Sequence, residues 1–185
     1  MQKTKARLLI TEECNRNCSY CCNHYYNIMK NTKYINSLDE LPVNLTEIMI
    51  TGGEPMLFPQ KTKDISIKLK KKYPFSKLYL YTTLYNDELE NIIPYLDGVH
   101  YSLHSKETIN DLELLYKFQG LLCLYEEEWN KKSFRLYVDS KVKLPVSVIP
   151  YLWKRMEMFK WSTEEELIAK QPDGLPAGES LYILN

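Results

Sequence analysis

The sequence predicts an α/β fold, a partial (β/α)6-type TIM barrel with a mostly parallel sheet. Two observations lead to this prediction. Short β-branched or aromatic runs alternate with helical stretches, and the chain has only 185 residues, whereas a closed eight-stranded barrel typically takes about 250. Strands separated by helices require right-handed crossovers, which make successive strands parallel. The length also predicts a single domain, residues 1–185.

Six short runs are predicted as strands because they are rich in β-branched and aromatic residues. In chain order they are Ala6–Ile10, Glu47–Thr51, Lys77–Thr82, Gly98–Leu103, Phe134–Asp139 and Ser180–Leu184. Four helices are predicted between them from apolar spacing: Lys61–Tyr73, Asp87–Tyr95, Thr108–Lys131 and Pro145–Phe159. Thr163–Gly178 is predicted as a turn-rich connection. Functional groups of such a fold collect at the carboxyl ends of the strands.

Composition argues against several classes of protein. The chain has 24 Lys and Arg against 24 Asp and Glu, so there is no global charge for binding a polyanion, and nucleic acid is not indicated. No apolar run approaches the roughly 18–20 residues of a membrane-spanning helix. The N-terminus lacks the pattern of a signal peptide. We therefore expect a soluble, cytoplasmic protein without a membrane partner.

Five cysteines indicate metal or redox chemistry. Cys14, Cys18, Cys21 and Cys22 fall within nine positions, while Cys123 stands apart. A disulfide framework would distribute its cysteines along a small secreted chain, so this clustering favours a reducing compartment. Cys123 lies in an apolar helical stretch and is predicted to be a buried structural cysteine.

The clustered cysteines directly follow the first predicted strand. Soft thiolate ligands favour iron–sulfur clusters or zinc. Structural zinc usually takes a second Cys/His pair further along the chain, and none is present; a zinc site that uses His24 remains an alternative. Consecutive side chains diverge, so Cys22 is not expected to share a metal with Cys21. Three thiolates on a four-iron cluster would leave one iron open to another ligand.

A second motif, Thr51-Gly52-Gly53-Glu54-Pro55, follows the second predicted strand. A glycine pair after a strand is often only a turn. The acid that follows it can also be a helix-start carboxylate, which complements the helix dipole.

The two motifs together resemble those of the radical S-adenosylmethionine (SAM) superfamily. The cluster motif is Cys14-x3-Cys18-x2-Cys21 with Tyr20 before the third cysteine, and the GGE motif follows one crossover later. The resemblance implies an iron-dependent oxidoreductase with a [4Fe-4S] cluster on the three cysteines. In this family SAM chelates the open iron and is cleaved reductively to methionine and a 5′-deoxyadenosyl radical, which takes a hydrogen atom from the substrate. An external electron donor such as flavodoxin or ferredoxin is implied as a partner.

The resemblance also implies roles for residues that bind SAM. Gly52 and Gly53 would let the backbone approach the ligand, and Glu54 would accept a hydrogen bond from the methionine ammonium. Tyr20 would pack beside the adenine.

Later strand ends offer further candidates. Ser102 lies near the end of the fourth predicted strand, where family members place a serine near the SAM ribose or carboxylate. His104 lies two residues on and points to the same face, where it would touch SAM or substrate; a histidine satisfied by backbone is the alternative. Asp139 and Lys141 lie at the mouth of the fold and either line the substrate site or form a solvated turn.

The substrate is not identified by these motifs, and both a protein or peptide and a small molecule are considered. The small size resembles two compact branches, the activating enzymes for glycyl-radical proteins and the 7-carboxy-7-deazaguanine synthases. Synthases usually have Asp-Thr after the cysteine motif, where this chain has Cys22-Asn23. Two alternatives are a catalytically silent iron–sulfur or zinc protein that binds or regulates a partner, and a subunit that binds SAM without cleaving it.

Overall fold

The computed structural model describes residues 4–16, 18, 20–104, 109–143, 147–170 and 174–185. These ranges contain eight strands, β1–β8: Thr4–Leu9, Lys33–Ile35, Leu45–Thr51, Lys77–Thr82, Gly98–Leu103, Ser133–Asp139, Arg155–Phe159 and Glu179–Leu184. They also contain five α-helices, α1–α5: Tyr26–Met29, Pro59–Lys72, Ile109–Leu124, Glu126–Trp129 and Glu164–Lys170. In these ranges no helix reaches the length and apolarity that crossing a membrane requires.

All eight strands form one sheet in the order β2-β8-β1-β3-β4-β5-β6-β7. Every neighbouring pair is parallel. The sheet is not closed, since β2 and β7 form its two edges. The predicted partial α/β barrel with a mostly parallel sheet is therefore confirmed, with eight strands where six were expected.

The six predicted strands are all present, and β2 and β7 were missed. The prediction of a helix over Pro145–Phe159 is wrong in its described part. That part contains a single 3-10 turn, Pro150–Leu152, and then β7, while Pro145 lies outside the described residues. Met, Glu and Arg in β7 favour helices when considered alone. Pairing with β6, in which Arg135 lies opposite Arg155, overrides that preference.

The other helix predictions are confirmed in part. Lys61–Tyr73 corresponds to α2, and the long predicted helix is divided into α3 and α4 at Tyr125. Its first residue, Thr108, is outside the described ranges. Asp87–Tyr95 forms two 3-10 turns instead of an α-helix.

The connection after β7 contains α5, which the turn prediction missed. The side chains of Thr163 and Glu166 exchange hydrogen bonds with each other's backbone N–H groups at 3.3 and 3.0 Å. This Thr-x-x-Glu spacing is a capping-box signal that was available in the sequence. The last part of the predicted connection, 171–173, lies outside the described residues.

The two faces of the sheet differ in chemistry. One face is apolar and packs under α2 and α3 in the main core, with members such as Leu8, Ile50, Leu80, Val99 and Leu136. The other face carries rings and charges: His100 stacks on Tyr81 with centroids 4.3 Å apart, and the guanidinium of Arg7 lies 5.6 Å from the Tyr81 ring. Because side chains alternate along a strand, the same strands build the core and supply the polar face.

Candidate functional site

A cavity of about 410 Å³ lies at the carboxyl edge of the sheet. It is bounded by the loop after β1, called here the cysteine loop (described residues 11–16, 18 and 20–23), and by the ends of β3, β4 and β5. The structure brings all nine predicted site residues to its wall: Cys14, Cys18, Tyr20, Cys21, Gly52, Gly53, Glu54, Ser102 and His104.

The cysteine loop is bonded directly to the turn after β3. The N–H of Gly53 donates to the carbonyl of Thr11 at 2.7 Å, and the N–H of Glu54 donates to the carbonyl of Glu13 at 2.8 Å. A Cβ on Gly52 would lie 2.4 Å from the Thr11 oxygen, and one on Gly53 would lie 2.0 Å from the Glu13 oxygen. The two glycines therefore permit the loop and the turn to pack together, a steric role that the motif itself did not reveal.

The clustered thiols influence one another electrostatically. Burial is the main cause that raises the pKa of Cys21 to about 11; the neighbouring Cys22, Cys18 and Cys14 add to it, and the backbone N–H of Asn23 acts in the opposite direction. In the described ranges no group of three or more His, Cys, Asp and Glu is placed to hold a metal ion. The thiols of the motif instead face one shared cavity.

Cys123, expected to be buried, is exposed on α3. The apolar residues around it in the sequence suggested a core position. The buried apolar side chains of α3 instead include Leu115, Phe118, Leu121 and Leu122. The prediction of burial is therefore wrong for this cysteine.

Two residues that the motifs do not point to anchor the cysteine loop. The Nε of Arg16 donates to the Oγ1 of Thr83 at 2.8 Å, and its Nη2 forms an ion pair with Asp111. The amide Nδ2 of Asn23 donates to the carbonyl of Gly52 at 2.9 Å. An arginine between two clustered cysteines is a signal that could have indicated the first anchor.

Glu54 is 1% exposed and accepts four hydrogen bonds from this chain. Its Oε1 accepts from the N–H of Met56 at 2.9 Å and from the Oγ1 of Thr82 at 2.6 Å. Its Oε2 accepts from the N–H and Oγ1 of Thr83 at 2.8 and 2.9 Å. Burial raises the pKa of Glu54, and these hydrogen bonds oppose the shift. A carboxylate has about four acceptor positions, so this geometry supports the helix-start interpretation of Glu54.

Three rings cover another side of the cavity. Trp161 stacks on Tyr20 and on His104, with centroids 4.8 and 4.9 Å apart, and the hydroxyl of Tyr20 forms a hydrogen bond with the Nδ1 of His104 at 3.3 Å. Burial, aided by the Arg16 cation, lowers the pKa of His104 to about 4. His104 is therefore neutral at pH 7. Trp161 was not among the predicted site residues, because it follows the strand that the sequence did not reveal.

Of the remaining candidates, the structure places Ser102 at the cavity and Asp139 and Lys141 away from its described wall. Ser102 is half-buried and lines the cavity. Asp139 is buried, and its Oδ1 accepts the N–H of Lys141 at 2.9 Å. Neither Asp139 nor Lys141 belongs to the described wall of the cavity, which agrees with the interpretation of this segment as a turn.

The match to known proteins covers the part of the chain that forms this site. The family model described as the Radical SAM superfamily matches residues 8–122, which include the cysteine loop and the turn after β3. Protein YfkA of Bacillus subtilis (strain 168) is 33% identical over 121 residues, which are 60% of this chain and 32% of YfkA. The chain thus spans about a third of that curated relative.

A solved structure is also similar. BtrN, crystallised in complex with AdoMet and 2-DOIA, is 18% identical, with a TM-score of 0.49. The match covers 78% of this chain and 60% of the BtrN chain.

Proposed function

Because the chain belongs to the radical SAM superfamily, whose members use a [4Fe-4S] cluster and SAM, we propose that it holds one such cluster on Cys14, Cys18 and Cys21 and cleaves SAM reductively. One observation carries the proposal: the three thiols and the Gly52–Glu54 turn line the same cavity. Backbone hydrogen bonds join the cysteine loop to that turn, so a group bound by one would contact the other.

The residues fit the cofactors chemically. Three thiols are a soft donor set of the kind that iron–sulfur clusters use. The raised pKa of Cys21, about 11, means that the free thiol keeps its proton at pH 7. A metal binds the thiolate, so cluster binding would release that proton. The volume of about 410 Å³ lies within the range of roughly 300–1,000 Å³ found for small-molecule sites.

When bound and reduced, a cluster of this kind supplies the electron that breaks the sulfonium bond of SAM, which gives methionine and a radical that takes a hydrogen atom from substrate. The chain's own residues bind and orient SAM and exclude water. In this proposal Tyr20 packs beside the adenine, and Ser102 offers its hydroxyl to the ribose or carboxylate. His104 is neutral and would touch SAM or substrate from the wall of the cavity.

We assign Glu54 an indirect role. Its four acceptor positions are already used by Met56, Thr82 and Thr83, so a SAM ammonium could bind its side chain only by displacing or sharing one of these donors. Glu54 would therefore hold the turn after β3 in the shape that the ligand meets.

Family members generally need an electron donor and a substrate. For this chain we infer an external donor of the flavodoxin or ferredoxin type. The substrate is proposed only as a hydrogen-atom donor that reaches the cavity from the carboxyl edge of the sheet, because His100, Tyr81 and Arg7 occupy the same face of the sheet below the cysteine loop.

Metal analysis after anaerobic reconstitution tests the proposal. We expect about four irons and four sulfides per chain, and SAM should change the electron paramagnetic resonance (EPR) spectrum of the reduced protein because it binds at the open iron. One zinc and no sulfide would contradict the proposal and select the zinc-binding alternative. A cluster whose spectrum is unchanged by SAM would select a silent iron–sulfur protein.

A further inference from the structure

Arg16 carries a fixed positive charge inside the cysteine loop, midway between Cys14 and Cys18. Its backbone N–H donates to the Sγ of Cys14 at 3.4 Å. Its side chain is 14% exposed and lines the same cavity as the three thiols. A guanidinium does not lose its proton in proteins, so the loop that holds the proposed cluster ligands always contains this cation.

The guanidinium is held by groups that lie outside the loop. Its Nε and Nη2 donate to the Oγ1 and the carbonyl of Thr83 at 2.8 and 3.4 Å, directly after β4. Its Nη2 also pairs with Asp111, which is 6% exposed near the start of α3. The hydroxyl of Thr83 donates in turn to Glu54. Both charges of the ion pair are therefore fixed in position next to the cavity.

We propose that Arg16 and Asp111 set the reduction potential of the cluster, with Arg16 raising it and Asp111 lowering it. This inference rests on the proposed function, which supplies the cluster. Reduction adds one electron, taken from dithionite in the test below, and no bond forms or breaks. The negative charge of the cluster grows by one, so a nearby cation stabilises the reduced form and a nearby carboxylate destabilises it.

Burial makes these effects large enough to measure. Water and salt screen charges at the surface, but buried charges interact through a lower dielectric constant. The potentials of iron–sulfur clusters respond to net charge, to hydrogen bonds on sulfur and to solvent exposure. Arg16 contributes to the first two of these factors. Its guanidinium supplies a charge, and its backbone N–H donates a hydrogen bond to the Sγ of Cys14. Substitution of the side chain changes the charge and leaves the backbone N–H in place.

The test is an EPR-monitored redox titration of the reconstituted chain without SAM. The midpoint potential of Arg16→Gln should be more negative than that of the wild type, and that of Asp111→Asn should be less negative. Both variants break the same ion pair. A purely structural effect of breaking it would shift the two midpoints in the same direction, whereas the electrostatic effect shifts them in opposite directions.

Two further variants complete the design. Arg16→Lys keeps the charge and should stay nearer to the wild-type midpoint than Arg16→Gln. Arg155→Gln removes an arginine from a different ion pair, with Glu157 at 2.6 Å on β7, and should leave the midpoint unchanged. If Arg16→Gln assembles no cluster, the other two variants still test the inference. A less negative midpoint potential in Asp111→Asn, together with a wild-type midpoint potential in Arg16→Lys, supports it.

If the midpoint potentials of Arg16→Gln and Asp111→Asn equal that of the wild type, or if both shift in the same direction, this inference is wrong. Either result leaves the proposed function standing. A wild-type chain that takes up no iron and sulfide would overturn both. The two failures are therefore distinguished by the metal content of the wild type.

Discussion

Glu54 joins the end of β3 to the end of β4 through one carboxylate. It accepts four hydrogen bonds: from the hydroxyl of Thr82, from the N–H and hydroxyl of Thr83, and from the N–H of Met56. A buried donor that loses its acceptor costs about 1–3 kcal/mol. Glu54 therefore affects folding as well as any ligand that the turn meets.

Glu54→Ala should lower the free energy of unfolding of the metal-free chain by about 3 kcal/mol, because several donors lose their acceptor at once. Urea unfolding followed by circular dichroism measures this. Glu88→Ala is the matched control, since Glu88 is exposed and such changes usually stay within about 0.5 kcal/mol. Equal losses in the two variants would show that the four bonds contribute nothing specific.

The thiols can be separated by single substitutions. Cys14→Ala, Cys18→Ala and Cys21→Ala should each lose iron and sulfide, because each removes a proposed ligand. Cys22→Ala and Cys123→Ala should retain both. Iron and sulfide assays with the absorption spectrum measure this outcome. Loss of the cluster in Cys22→Ala but not in Cys21→Ala would refute the ligand assignment.

His100 gives the chain a predictable response to acid. The residue is 4% exposed, and burial, followed by the cations Arg135, Arg7 and Arg155, lowers its pKa to about 3. The unfolded chain has the ordinary value of about 6.5, so below pH 6.5 the unfolded state binds the proton and the folded state does not. Stability that is fully present above pH 6.5 is therefore lost as the pH falls towards 3.

His100→Phe keeps a ring in contact with Tyr81 and removes this titration. Between pH 7 and pH 5 it should lose about 2 kcal/mol less unfolding free energy than the wild type, by the linkage of one histidine. His104, whose pKa is lowered to about 4, should still titrate in the variant. Urea unfolding at both pH values measures the difference, and parallel pH profiles of the two proteins would contradict the assignment.

Among the structural elements, the cysteine loop and the turn after β3 behave as one unit. They exchange backbone hydrogen bonds at 2.7 and 2.8 Å, and the glycines leave no room between them for a side chain. The motif TGGEP thus fixes the position of a loop that lies about 40 residues earlier in the chain. The order of the two motifs predicts that they meet at one edge of the sheet, but not that they touch.

Gly53→Ala should displace the cysteine loop, because its Cβ would lie 2.0 Å from the carbonyl oxygen of Glu13. We expect a strong loss of iron and sulfide on reconstitution. Gly120→Ala is the control: nothing lies within 4 Å of its added Cβ in α3, and the change should stabilise the helix by about 1 kcal/mol. A Gly53→Ala protein with a full cluster would show that the loop tolerates the contact.

Local patterns predicted the elements where propensity and tertiary pairing agree. β4 and β5 have the predicted bounds because KLYLYT and GVHYSL consist largely of strand-forming residues. β7 was missed because RMEMF has the composition of a helix and is held only by its pairing with β6. Trp161, which follows β7, was missed for the same reason.

On the scale of the whole molecule, the open parallel sheet collects residues far apart in sequence at one edge. The cysteine and GGE motifs, together with the end of the fourth predicted strand, supplied nine candidate residues, and all nine line one cavity. The contacts of Arg16 could not be predicted in this way, because its partners Thr83 and Asp111 are 67 and 95 residues away. Spacing within a motif predicts the ligands, whereas the contacts that orient them depend on the folded chain.

Product analysis is the direct test of whether this chain cleaves SAM reductively. The anaerobically reconstituted chain is reduced with dithionite, mixed with SAM and analysed by chromatography and mass spectrometry. We expect 5′-deoxyadenosine and methionine from the wild type and neither product from Cys21→Ala. If a wild type that holds a complete, reduced cluster and binds SAM releases no 5′-deoxyadenosine, the chain does not cleave SAM reductively.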